Sequence, residues 1–255
     1  MHELICLLFE TVLENSRNAR LNAIEYLRPF IENESTVAIV DIGWLGNMQA
    51  SFEKIARLIN PEIVIHGFYS GTLDGAAQKA TEKSHMHGFF CDNGLPSQFC
   101  HAVQSGGAEI LEFAHSATHG TTLGYARDGN TVKPVFDPHD LNSPEAIAAA
   151  QLQEGMMDFC QKLAHTIAAL PSKQLASDDW PEDVLRLITR PNKTEAEIFG
   201  EIEHSESIGQ TVVRRKIAPK LHGFQRIQIF KSYRFAKKSS FWPSGFKIRN
   251  SFKKD

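Results

Sequence analysis

Residues 36 to 49 read TVAIVDIGWLGNMQ, and the fold turns on how this stretch is understood. Val37, Ala38, Ile39 and Val40 form an apolar run suited to a strand buried on both faces, and Asp41 closes it at the carboxyl end. Gly43 and Gly46 permit a tight turn. Met48, Phe52, Ile55, Ala56 and Ile59 then recur every three to four residues, which predicts an amphipathic helix over 46–59. Asn60-Pro61 stops that helix, and Ile63, Val64, Ile65, Gly67, Phe68 and Tyr69 supply a second strand. Strand, helix and strand in so short a span predict adjacent parallel strands joined by a right-handed crossover.

The same stretch is the candidate ligand site. Open α/β sheets bind ligands beyond the carboxyl ends of their strands, where a helix N-terminus offers N–H groups to an anion. The loop carries neither the Gly-Lys-Ser/Thr of a Walker loop nor the GxGxxG spacing of a dinucleotide site. Two readings stand side by side. In one, Asp41, Gly43, Trp44, Gly46, Asn47 and Gln49 contact a ligand, with Trp44 stacking on a sugar or base. In the other, Asp41 caps the helix, the glycines only allow the turn, and Trp44 covers the sheet edge.

Working outward, residues 3–14 and 17–32 read as two helices, with Pro29 near the end of the second. The N-terminal apolar run has acidic flanks and no basic n-region, so it is not a signal peptide. No run reaches the roughly 18 apolar residues of a membrane span. Residues 70–85 suggest a loop or short helix, and Phe89 and Phe90 a third short strand. Asp92-Asn93-Gly94 marks a turn. A helix follows Gly106-Gly107 through AEILEFAHSA, and a hairpin spans Thr121–Tyr125 and Val132–Phe136. Asn142-Ser143-Pro144 starts a long helix that runs toward Leu170. A polar linker at 171–181 and helices at 182–189 and 194–203 complete the body, the last with Ala196, Ile198 and Phe199 facing inward. The expected fold is α/β, a Rossmann-like three-layer arrangement with a small parallel sheet, a helical C-terminal half and a basic tail. The expected divisions are 1–35, 36–210 and 211–255.

A second constellation lies on the predicted helix after Gly107. Glu112, His115 and His119 stand at i, i+3 and i+7 and would share one face. Glu112 and His119 are therefore candidates, with Asp41, for acid–base roles, and Gly120 and Tyr125 for ligand contact. A metal there would require the helix to continue to His119, and none is assigned. His85 and His87 would converge only in strand geometry, and a surface loop is the expected setting. Cys6, Cys91, Cys100 and Cys160 show no CxxC and read as reduced thiols. No GxSxG elbow is present. The residues name no cofactor.

Charge divides the chain. Residues 211–255 hold 13 Lys and Arg against the single acid Asp255, whereas residues 1–210 hold 14 against 29 acids. Phe224, Phe230, Tyr233, Phe235, Phe241, Trp242, Phe246 and Phe252 interleave with those cations. Unpaired buried charges are costly, so the tail is expected at the surface. It would contact an anionic inner-membrane surface or the acidic body, in preference to nucleic acid.

VDIGWLGNMQ, IHGFYSG, EFAHSATHGTTLGY and RPNKTEAEIFGEI together resemble the region downstream of the hydrolase domain in HAD-like proteins of bacterial surface-polysaccharide gene clusters, those for O-antigen and capsule. DIGWxGxxQ is the most specific of these motifs, and the likeness covers most of residues 17–210. FWPSG in the tail is similar to the ends of other proteins from such clusters. The resemblance implies a cytoplasmic protein of lipopolysaccharide or capsule assembly that binds a phosphorylated sugar or sugar nucleotide. A HAD phosphatase needs DxDx(T/V), but Gly43 stands where the second acid belongs, and no later GDxxxD is present. Phosphatase chemistry is therefore not carried over, and a separate hydrolase partner would have to supply it. The alternatives are a glycosyltransferase-type enzyme with Asp41 or Glu112 as base, and a non-catalytic scaffold at the inner membrane.

Overall fold

The computed structural model describes residues 2–138, 140–168, 180–208, 211–223 and 231–251. It forms two compact units, Met1–Leu95 with His119–His139, and Pro96–Thr118 with Asp140–Asp255.

The first unit opens with α1 (His2–Ile31), one helix of 30 residues rather than the two expected. No Gly or Pro interrupts it before Pro29, so nothing in the backbone breaks it at Asn15-Ser16. Then follow β1 (Thr36–Trp44), α2 (Asn47–Ile59), β2 (Val64–Thr72), a 3-10 turn (Ala77–Lys79) and β3 (Ser84–Cys91). β1 and β2 are parallel, from Thr36 opposite Val64 to Trp44 opposite Thr72, with α2 crossing between them as expected. β3 joins β2 in parallel, from Ser84 opposite Ile65 to Cys91 opposite Gly71. It includes His85 and His87, which the sequence reading had placed in a loop.

Ile31, Ala56, Ile63 and Ile65 form the core between helices and sheet, with Leu27, Val37, Ile39 and Phe52 packed on it. The opposite face is open: Val40 is 85% exposed, and Phe68 and Phe89 are exposed too. One expectation is corrected here. β1 is not buried on both faces, and within this unit the described helices lie on one side of the small parallel sheet only. Its order is β1-β2-β3, without the reversal that makes a doubly wound crevice. The β2–β3 link contains only a 3-10 turn, so it supplies no helix to cover the second face. A hairpin of β4 (Thr122–Asp128) and β5 (Thr131–Phe136) packs against α1. There Asn22 donates to the Tyr125 carbonyl at 2.9 Å and the Tyr26 and Tyr125 rings lie 4.7 Å apart.

The second unit comprises α3 (Ser97–Ala102), a π turn, α4 (Ala108–Ala114), α5 (Pro144–Ala168), α6 (Trp180–Thr189) and α7 (Lys193–Glu201). The hairpin of β6 (Glu203–Ile208) and β7 (Thr211–Lys216), then α8 (Lys231–Lys238) and α9 (Pro243–Arg249), complete it. Ser143 caps α5 by accepting the Ala146 N–H, and Asn192 with Glu195 forms a capping box on α7. Ile198 is 61% exposed, not inward as its periodicity suggested.

The core of this unit is built largely from the basic tail. Ile217, Tyr233, Phe241, Trp242 and Phe246 pack with Ile110 and Phe113. The Trp242 indole N–H, fully buried, donates to the Ile188 carbonyl at 2.7 Å. Gly106, at φ 105°, lets the backbone at Phe241 approach closely, since a Cβ there would sit 2.2 Å from the Phe241 carbonyl oxygen. The expectation of a tail mostly at the surface is thus corrected for part of it: Tyr233, Phe241, Trp242 and Phe246 are core anchors, and Lys216, Lys220 and Arg249 find acids on α7, whereas Phe235 is exposed. Arg249, 2% exposed, pairs with Glu197 and Glu201 and donates to the Ala218 carbonyl. Lys216 pairs with Glu201, and Lys220 with Glu197 at 3.1 Å. Most of the 171–181 linker, and Phe224, Phe230 and Phe252, lie outside the described residues.

Candidate functional site

The junction of β1 and α2 gathers Asp41, Gly43, Trp44, Gly46, Asn47 and Gln49 at the carboxyl end of β1. Asp41 is half-buried opposite Tyr69, and its Oδ1 accepts the Ile42 N–H at 2.7 Å. Gly43, at φ 148°, brings the chain so close to β2 that a Cβ would meet the Gly71 carbonyl oxygen at 2.5 Å. Trp44 is half-buried, with its ring 3.0 Å from where a Cβ of Gly71 would stand. It thus covers the end of β2.

Gly46 precedes α2 in the left-handed region, φ 68°, and offers no side chain to cap the helix. The first-turn amides of Asn47, Met48 and Gln49 therefore carry the positive end of the helix dipole without a side-chain acceptor from the N-cap. Asn47 is exposed, and Lys79 Nζ donates to the Leu45 carbonyl at 2.5 Å, which places an ammonium group on the same loop. Lys79 lies in the polar 70–85 stretch, where no periodicity marked it for a role.

Gln49, expected to touch a ligand, is fully buried. Its Oε1 accepts the Tyr69 hydroxyl at 2.7 Å, and its Nε2 donates to Ser84 Oγ and the His85 carbonyl, each at 2.9 Å. Gly67 leaves room for it, since a Cβ there would fall 1.9 Å from Oε1. The amide ties α2 to β2 and β3 and holds the helix N-terminus in place, a supporting role in place of the contact expected. Burial, and then the charge of Asp41, push the Tyr69 hydroxyl up to about 12, so it stays a donor at any ordinary pH. Burial works against ionisation of Glu53 on the same helix, but hydrogen bonds from Arg57 and Thr81 outweigh it and hold that carboxyl below its usual range.

The second constellation does not share one helical face. α4 ends at Ala114, and His115 leaves the helical region at φ −108°, ψ 13°, so no helical face carries Glu112 and His119 together. The His115 ring turns back on the Leu111 carbonyl at 2.7 Å, and the Ser116 hydroxyl donates to the Glu112 carbonyl. Such side-chain bonds to the last carbonyls compete with continuing the helix. Glu112 belongs to the second unit, and His119, Gly120 and Tyr125 to the first. The single cleft expected for Asp41, Gln49, Glu112 and His119 is therefore not the work of either unit alone. His119 is exposed, stacks on Phe136 at 4.2 Å and bonds the Gly120 carbonyl at 2.8 Å. Tyr125 is held against Tyr26; burial first, then that neighbour, raises its hydroxyl pKa.

The sequence reading also missed an apolar cleft of about 580 Å³ in the second unit, lined by Phe113, Ala148, Leu152, Ile198 and Phe199, with Glu201 and Lys216 as its charged pair. Hydrogen bonds from Lys216 and then Arg249 bring the Glu201 carboxyl down to about 2. Helical spacing on α5 and α7 was its only signal. Among the described residues, no group of three or more His, Cys, Asp or Glu side chains could hold a metal ion. No helix among them is long and apolar enough to cross a membrane. No family model, curated protein or solved structure matches the chain.

Proposed function

We propose that the β1–α2 junction binds the phosphate of a phosphorylated sugar or sugar nucleotide, and that the chain serves bacterial surface-polysaccharide assembly in the cytoplasm. One observation carries the binding claim. The N-terminus of α2 opens on a left-handed glycine without a side-chain cap, and Lys79 Nζ lies on the same loop, 2.5 Å from the Leu45 carbonyl. Oriented amides and an ammonium group together suit a phosphate. Asp41, half-buried beside them, suits a sugar hydroxyl as acceptor and is the one carboxylate in Asp41–Gln49. The pathway rests on the motif resemblance, as does the separate hydrolase partner that would supply the acid absent at Gly43.

Calorimetric titration with UDP-glucose and glucose 1-phosphate tests the reading. A charge-assisted hydrogen bond contributes about 1.5–3 kcal/mol, so Lys79→Gln is expected to weaken binding about tenfold or more. Absence of saturable binding to any sugar phosphate or sugar nucleotide would remove it.

A second reading concerns membrane contact. On α8, Lys231, Arg234, Lys237 and Lys238 are exposed, and Phe235 is 75% exposed between them. Each such cation contributes about 1 kcal/mol near an anionic bilayer, so this helix suits peripheral adsorption at the inner membrane. Replacing these four cations with Gln is expected to abolish sedimentation with anionic vesicles at low salt. Unchanged sedimentation would exclude α8 as the contact.

A further inference from the structure

We propose that the apolar cleft of the second unit binds an aliphatic amine, with its tail between α5 and α7 and its ammonium group on Glu203. The cleft holds about 580 Å³, within the size range of small-molecule sites. It lies wholly within the second unit and shares no residue with the β1–α2 junction. Its two walls differ in kind. Phe113 of α4 with Ala148 and Leu152 of α5 make one wall, which carries no charge. Ile198 and Phe199 of α7 continue into Glu201, Glu203 and Lys216, so every charged group of the lining stands on the other wall. Such a lining suits an amphiphile. A second hollow of about 380 Å³ shares Gln151 and Leu152 with the cleft and runs on along α5 to Met156 and Phe159. It gives an aliphatic tail room to extend, beside a methionine that adapts to its shape.

The sign of the head group follows from how the three charges are already paired. Lys216 donates to Glu201, and Glu201 accepts from Arg249 as well. Glu203 stands opposite Lys216 across the β6–β7 hairpin, but the ammonium group turns to Glu201. The Glu203 side chain is half-buried and makes no hydrogen bond or ion pair with any described residue. A carboxylate beside apolar surface without a partner is costly, and a cation delivered to it offsets that cost. A primary ammonium group brings three N–H donors to this carboxylate, whereas an anionic head would meet Glu203 and a lysine that is already engaged.

The test is calorimetric titration of the full chain with octylamine, octanol and octanoate, which share one tail and differ in head group. Octylamine is expected to bind at a single site. Octanol should bind about tenfold or more weakly, because a charge-assisted hydrogen bond is lost, and octanoate should be the weakest of the three. Hexylamine should bind about tenfold more weakly than octylamine, because a shorter tail buries less apolar surface. Glu203→Gln is expected to weaken octylamine about tenfold or more and to leave octanol unchanged. Lys216→Gln should not weaken octylamine. Octanol or octanoate binding as tightly as octylamine, octylamine binding untouched by Glu203→Gln, or no saturable binding of octylamine would overturn the proposal. Should a substitution disturb folding, the parent chain still decides. Octylamine should shift the methyl resonances of Leu152, Ile198 and Ile202, which line the cleft, and shifts confined to the first unit contradict the site.

Discussion

The two units handle exposure and charge in opposite ways. The first leaves much of one face of its sheet open, with Val40, Phe68 and Phe89 exposed, and concentrates its core beneath α1 and α2. The second buries a guanidinium, that of Arg249, and draws much of its core from the otherwise basic C-terminal stretch. A cation can lie inside when acids and carbonyls receive every arm of its fork, as Glu197, Glu201 and the Ala218 carbonyl do for Arg249. An apolar side chain can lie outside when its sheet has too few crossovers to cover both faces. Position follows from partners, and residue type alone does not set it.

The largest expected effect is in the second core. Trp242→Ala removes a fully buried ring and leaves the Ile188 carbonyl without its donor, so a loss of about 3–5 kcal/mol is expected in denaturant titration. A loss below about 1 kcal/mol would return the tail to the surface.

Arg249→Met is expected to cost about 1–3 kcal/mol, because it removes the buried donor to the Ala218 carbonyl and the charge-assisted bonds to Glu197 and Glu201, which keep Lys220 and Lys216 as partners. Charge pairing also gives the second unit a pH signature. The Glu201 carboxyl is brought down to about 2, so its contribution is complete above the ordinary carboxylate value and fades as pH falls from about 4.5 toward 2. Its side chain is 49% exposed, so solvent screening leaves this at about 1 kcal/mol. Glu201→Gln should flatten the acid limb of the stability curve by that amount.

In the first unit, Tyr69→Phe deletes the hydroxyl that serves Gln49, at an expected cost of about 1–2 kcal/mol near neutral pH. The Tyr69 hydroxyl is raised to about 12, so the parent keeps this contribution below pH 10 and loses it as pH climbs through 12. The variant should lack that alkaline loss. The smallest effect belongs to the open face, where Val40→Thr is expected to stay within about 0.5 kcal/mol of the parent. A larger cost would mean that something covers that face.

Much of the first unit is legible in the chain. The apolar run at 37–40, the glycines at 43 and 46 and the helical spacing after Met48 carry β1, α2 and β2, because local propensity and the pattern of the neighbouring helix agree there. β3 is harder to read. His85, Met86, His87 and Gly88 make no alternating apolar pattern, since one side of the strand faces solvent and the other is filled partly by small or polar residues such as Ser84. The tail was misread because its compensating acids are remote. Arg249 pairs with Glu197 and Glu201, 52 and 48 residues earlier, and no local window shows such a pair. In the candidate site, the loop itself was visible. The buried duty of Gln49 was not, because it depends on Gly67, Tyr69 and Ser84 in two other strands. Lys79 was hidden for a similar reason, since its role follows from where a 3-10 turn delivers it.

Hydrogen–deuterium exchange of the full chain, with and without saturating UDP-glucose, tests the contrast most directly. Residues 233–249 should exchange slowly in both states, as core segments do, and the amides of residues 46–50 should slow several-fold only when the sugar nucleotide is present. Fast exchange over 233–249, or protection by the nucleotide that leaves residues 46–50 unchanged, would contradict the assignment of the tail to the core and of the β1–α2 junction to the ligand.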